Sequence, residues 1–168
     1  MAAGSADLHK GIYNLWIGSG LEAQFKSFWL DPTGEGYTAF NETEASPEQP
    51  WPYCIFTQYP GIPISRASGI SGSGVNRHEE RDVLIDFEIL AKNLTTTDFS
   101  SKELAAYLME EIMKVFGGHP TVAAQAICLD HGGVIKVQYI TDEAERKDDE
   151  VYMWFVRYIV TIDAPVKS

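Results

Sequence analysis

Arg81-Asp-Val-Leu-Ile-Asp-Phe-Glu-Ile-Leu-Ala91 sets Val83, Ile85, Phe87 and Ile89 on one side of an extended chain and Asp82, Asp86 and Glu88 on the other. This two-residue alternation is that of a strand with one buried and one wetted face. Shortly after it, Ser100-Ser-Lys-Glu103 has the spacing of a capping box, and Leu104, Leu108, Ile112 and Val115 follow at helical intervals. Glu110 and Lys114 add an i,i+4 pair, and Gly117-Gly118 with Pro120 end the helix.

Towards the C-terminus, Gly133 to Thr141 alternates Ile135, Val137 and Tyr139 with Lys136 and Gln138. Glu150 to Ile162 is apolar on both faces: Tyr152, Trp154, Val156, Tyr158 and Val160 on one, Val151, Met153, Phe155 and Ile159 on the other, with Arg157 interrupting. The two read as a hairpin whose second strand needs cover on both sides. Towards the N-terminus, Tyr53 to Tyr59 is a strand bounded by Pro52 and Pro60, and Leu8, Ile12, Leu15 and Trp16 mark a helix that Asp7 is placed to cap. Residues 122–129 are apolar and small, either a short strand or a packed connection.

Two helices and a hairpin-rich sheet without regular βαβ alternation predict an α+β fold: about four antiparallel or mixed strands, with both helices on one face. The 168 residues, 45% hydrophobic and 22% charged, suit one domain spanning 1–168. A chain of this size buries roughly 70% of its surface on folding, so its core needs neither disulfide nor metal. Two long loops interrupt the domain. Residues 31–50 carry five acids and no base among three prolines and two glycines, and residues 61–80 are rich in Gly and Ser.

The net charge of −11 has the wrong sign for gripping a phosphate backbone. The connector from Thr141 to Glu150 holds six acids and two bases, so it and the 31–50 loop together account for −9 of that charge. Cys54 and Cys128 lie in apolar company and read as free thiols. The first residues lack a basic segment followed by an apolar run, and no stretch reaches the ~18 apolar residues of a membrane span. A soluble protein of a reducing compartment, with no membrane partner, is the expectation.

Catalytic templates are approached and missed. Ser68-Gly-Ile-Ser-Gly-Ser-Gly74 is neither a nucleophile elbow nor a phosphate loop. His9, His78, His119 and His131 have no ligand spacing, and the acidic connector lacks the ordered alternation of a calcium loop. Asp86 and Glu88, on one strand face, have the spacing for acid/base work but read more simply as a polar strip. Aromatics Tyr152, Trp154 and Tyr158 lack interleaved bases and read as core rather than as a stacking platform. No catalytic residue, metal or cofactor is expected.

The whole order of elements resembles the tail terminator (tail completion) family of long-tailed bacteriophages. The resembling features are the N-terminal helix, Trp51-Pro-Tyr-Cys-Ile-Phe-Thr-Gln-Tyr-Pro-Gly61 leading into a loop, the strand Asp82 to Ala91, the capped helix Ser100 to Phe116, and the hairpin from Gly133 to the aromatic strand Tyr152 to Ile162. The 31–50 and Gly/Ser loops are larger than the family pattern. The resemblance implies a virion protein of the tail and neck region, assembled in the host cytoplasm. It implies a ring, commonly of six subunits, that caps the tail tube, ends its polymerisation and joins it to the head-proximal connector. The alternatives are a head-side neck adaptor or stopper and, from another class, a small α+β enzyme or ligand-binding domain.

A closed ring needs two different complementary surfaces on each subunit. The last strand, with Trp154 and Arg157, and the strip Asp86 and Glu88 are candidates for one; the loop Ile62 to Arg81, with Arg66, Arg77, Glu79 and Arg81, for the other. Asp142, Glu143, Asp148, Asp149 and Glu150 are candidates for lining a channel through which DNA passes without specific binding, because acidic walls repel phosphate.

Overall fold

The structure is a computed structural model that describes residues 3–42, 44–65, 78–117, 126–130 and 132–165. Its elements in chain order are α1 (Ala3–Gly18), α2 (Leu21–Lys26), β1 (Phe40–Glu42), β2 (Tyr53–Gln58), β3 (Ile62–Ser65), β4 (His78–Lys92), α3 (Ser101–Phe116), β5 (Gly133–Arg146) and β6 (Val151–Pro165). The fold is α+β, as the sequence predicts, with six strands and three helices among the described residues where the sequence suggests about four and two.

The strands lie in the order β1-β2-β4-β6-β5, with β3 also on β4. All pairings are antiparallel except β1 with β2. β4 is longer than its alternating centre and pairs with β6 from His78 opposite Pro165 to Lys92 opposite Val151, without a bulge. Val83, Ile85, Phe87 and Ile89 are fully buried, as the alternation requires.

Phe87 is the hub of the core. Its ring lies 4.6 Å from Phe116 of α3, 5.3 Å from Phe56 of β2 and 6.3 Å from Trp16 of α1, so both long helices cover the same sheet face. Leu104, Ala105, Leu108, Met109, Ile112 and Phe116 form the buried stripe of α3. Its capping box is complete: Ser100 Oγ accepts from the Glu103 N–H at 3.3 Å, and the Glu103 carboxylate accepts from the Ser100 N–H at 2.9 Å. Lys114 pairs with Glu111 at 2.6 Å rather than with Glu110.

Helix α1 begins at Ala3, so Asp7 lies inside it and does not cap it. Gly11, a poor helix former, is explained by packing: a Cβ there would stand 2.6 Å from the Cys128 carbonyl oxygen. Glu22 at the start of α2 accepts hydrogen bonds from Trp16 Nε1 (2.8 Å), the Ala39 N–H (2.8 Å) and Thr38 Oγ1 (3.1 Å). One carboxylate thus ties both N-terminal helices to the entry of β1. That short strand lies within the 31–50 segment expected to be all loop, and Phe40 anchors it by stacking 5.1 Å from Phe56. Cys54 is buried, and burial pushes its thiol up. Cys128 is exposed, although its carbonyl lies against α1 at Gly11; both thiols are free, as the sequence suggests.

Candidate functional site

The sheet face opposite the helices is covered by no described element. Strand alternation delivers to it Ile55 from β2, Leu84 and Leu90 from β4, and Met153, Phe155 and Ile159 from β6. All six are half-buried. Polar side chains cross this apolar field in register. Arg157 reaches across from β6 to Asp86 with two hydrogen bonds of 2.8 Å, from Nε and Nη2, a two-pronged charge-assisted contact. Tyr59 Oη donates to the same carboxylate at 3.0 Å, and the Arg157 guanidinium lies 5.5 Å from the Tyr59 ring centre. The pairing with Asp86 raises the pKa of Arg157, and hydrogen bonding to Asp86 raises that of Tyr59. Alongside, Thr161 Oγ1 donates to Asp82 at 2.6 Å.

Glu88 stands between Ile55 and Phe155 in the register. Burial is the chief cause that raises its pKa; Lys147 opposes this, and the negative charges of Asp86 and Glu145 add to it. The strip of Asp86 and Glu88 proposed from sequence is therefore one place with two characters, a neutralised carboxylate and a desolvated one.

The other predicted interface residues separate. Trp154 belongs to the opposite face. Its partner in the register is Ile89, it packs on the core, and its indole N–H is buried without a partner among the described residues. It fails as a surface residue because the alternation that exposes Arg157 turns Trp154 inward. Glu79 and Arg81 share the inward row of β4. Glu79 is buried, and Arg81 binds it through Nη2 at 2.7 Å and Nε at 3.0 Å, so their charges face each other. Arg66 and Arg77 lie outside the described residues.

The five acidic candidates also part. Strand β5 runs on to Arg146, so Asp142 and Glu143 are strand residues and not part of a loop. Asp142 opposes inward-facing Val156, and Glu143 opposes outward-facing Phe155. Only Asp148, Asp149 and Glu150 form the tip. There Asp148 Oδ1 accepts from the Glu150 and Val151 N–H groups at 2.8 and 2.9 Å, a local turn bond that the run of acids conceals. Arg146 pairs with Asp149 at 2.8 Å and Lys147 with Glu145 at 2.9 Å.

A cleft of about 480 Å³ opens between residues 47–51 and 92–96, next to Phe28 and Leu30. Lys92 Nζ lies 5.2 Å from the Trp51 ring centre there, and Glu48 is the only carboxylate in its lining. Among the described residues no three His, Cys, Asp or Glu side chains converge as a metal site, and no helix is long and apolar enough to cross a membrane.

No family model matches the chain, and no curated protein matches it. Among solved structures, a chain of the "Virion of native gene transfer agent (GTA) particle" aligns over 95% of this chain and 94% of its own length. The identity is 13% and the TM-score 0.44, a weak likeness.

Proposed function

We propose that this chain is a structural virion protein of the tail-terminator kind. Its copies form a ring, of six subunits by the family resemblance, that caps the tail tube, ends its polymerisation and offers the joining surface to the head-proximal connector. The observation that carries the reading is the order of elements that gives the resemblance, from the N-terminal helix through the capped helix to the aromatic hairpin. The open sheet face supports it. An apolar field with a fixed ion pair at its centre is the composition of a protein contact, in which aromatic and Arg side chains are enriched. In this reading the tip acids Asp148, Asp149 and Glu150 face the channel and keep passing DNA from sticking.

Light scattering on the purified protein, followed by electron microscopy with added tail tubes, tests the role. Rings seated on tube ends are expected. Rings that ignore tubes but bind portal-bearing heads reassign the chain to the head-side neck, and a protein that binds neither overturns the structural reading.

A further inference from the structure

Strand β5 is the one long open edge among the described strands. It ends the sheet beyond β6, and no described strand pairs with its outer side. The other margin is made by β1, of three residues, and β3, of four, the latter containing Pro63 with no N–H to donate. Helix α3 packs chiefly on the inner strands β4 and β6. As a result Ile135, Tyr139 and Ile140 are 47%, 45% and 40% exposed, a cluster of large apolar side chains within six residues. An edge like this is a template for another strand.

The charge pattern states which strand fits. Lys136 opposes Thr161 and Glu143 opposes Phe155, two positions on the same side of β6. Seven residues apart, Lys136 and Glu143 would face opposite sides of a regular strand. They share one side because Ile140 is an extra, unpaired residue at the irregularity between Tyr139 and Thr141. A second β5 laid antiparallel over the central span sets Lys136 opposite Glu143 on both flanks; outside that span a second irregularity, between Val134 and Lys136, turns Gly133 and Arg146 to opposite sides. The same register sets Tyr139 opposite Ile140 at the centre. The bulge and the charges that repel unlike strands are thus matched by one strand, a copy of β5 itself.

We infer that β5 pairs antiparallel with β5 of a second copy of this chain, joining two sheets across a two-fold axis. This contact is separate from a ring contact, which is not two-fold, and it does not rest on the ring reading. The test is light scattering on the full chain over a concentration series, with hydrogen exchange read at the β5 amides. The expected result is a dimer whose formation slows exchange along β5. Lys136→Glu and Glu143→Lys, both at exposed positions that leave the fold intact, are each expected to weaken pairing about tenfold, and the double reversal to restore it. A monomer at every concentration overturns the inference. So does a dimer, or a ring-sized assembly, that is indifferent to both single reversals.

Discussion

Truncating Arg157 to Ala removes both prongs from Asp86 and leaves that carboxylate with the Tyr59 hydroxyl alone. The two partners differ in access to water, at 13% side-chain exposure for Asp86 and 34% for Arg157. The cost should be correspondingly unequal. Arg157→Ala strands the more buried charge and is expected to lose about 2–3 kcal/mol. Asp86→Ala leaves a guanidinium that can turn towards solvent, at about 1–2 kcal/mol. A double-mutant cycle should return a coupling of about 1–2 kcal/mol, between an exposed pair and a buried one. Urea unfolding reads this directly: at a slope of about 1–3 kcal/mol per molar, a loss of 2 kcal/mol lowers the midpoint by about 1 M. Equal costs, the reverse order, or a coupling below about 0.5 kcal/mol would refute the reasoning from unequal burial.

Phe87→Ala should cost about 3–5 kcal/mol, a large share of the roughly 5–15 kcal/mol that holds such a domain together, and circular dichroism on heating will show it. Gly11→Ala is expected to destabilise despite alanine's better helix propensity of about 1 kcal/mol, because the new Cβ meets the Cys128 carbonyl; a gain in melting temperature would contradict that contact. Glu88 binds its proton more tightly folded than unfolded, so its charge opposes folding at neutral pH and the penalty fades as pH falls through its raised pKa. Glu88→Gln should therefore stabilise the protein at pH 7 and lose that advantage in acid, and denaturation curves across pH 3–7 check the sign. Replacing Asp149 and Glu150 by Asn and Gln should slow DNA passage through assembled particles while rings still form; passage unchanged at low salt removes the channel assignment.

The parts of the fold legible in the sequence are those where local pattern and tertiary burial agree. The alternation of β4 and the capped, striped α3 are such cases, and their inward rows are fully buried. Strand β1 was hidden because three residues carry no period; Phe40–Glu42 becomes a strand through Phe40 on Phe56 and through its pairing with β2, which sequence order does not announce. The continuation of β5 through Asp142, Glu143 and Glu145 was masked by charge, since an edge strand tolerates acids that a central one would not. At the site, Asp86 and Glu88 could be found from one strand. Arg157 needed the β4–β6 register to be joined to Asp86, and Tyr59 needed the β2–β4 register, which its own N–H extends by bonding to the Leu84 carbonyl. Trp154 and Glu79 show the opposite failure: Trp154 is grouped with Arg157 although its parity on the strand turns it inward, and Glu79 reads as loop because nothing in the local pattern announces that β4 begins at His78.

The uninterrupted pairing of β4 with β6 has a mechanical consequence. A pull along the strand axis, with the two strands drawn in opposite directions, is shared by every hydrogen bond of the ladder at once and must shear them together. A pull across the sheet meets short β1 and β3 first, and these can peel one bond at a time. The molecule is therefore stiff in one direction and yielding in the other, and the stiff direction is that of β4.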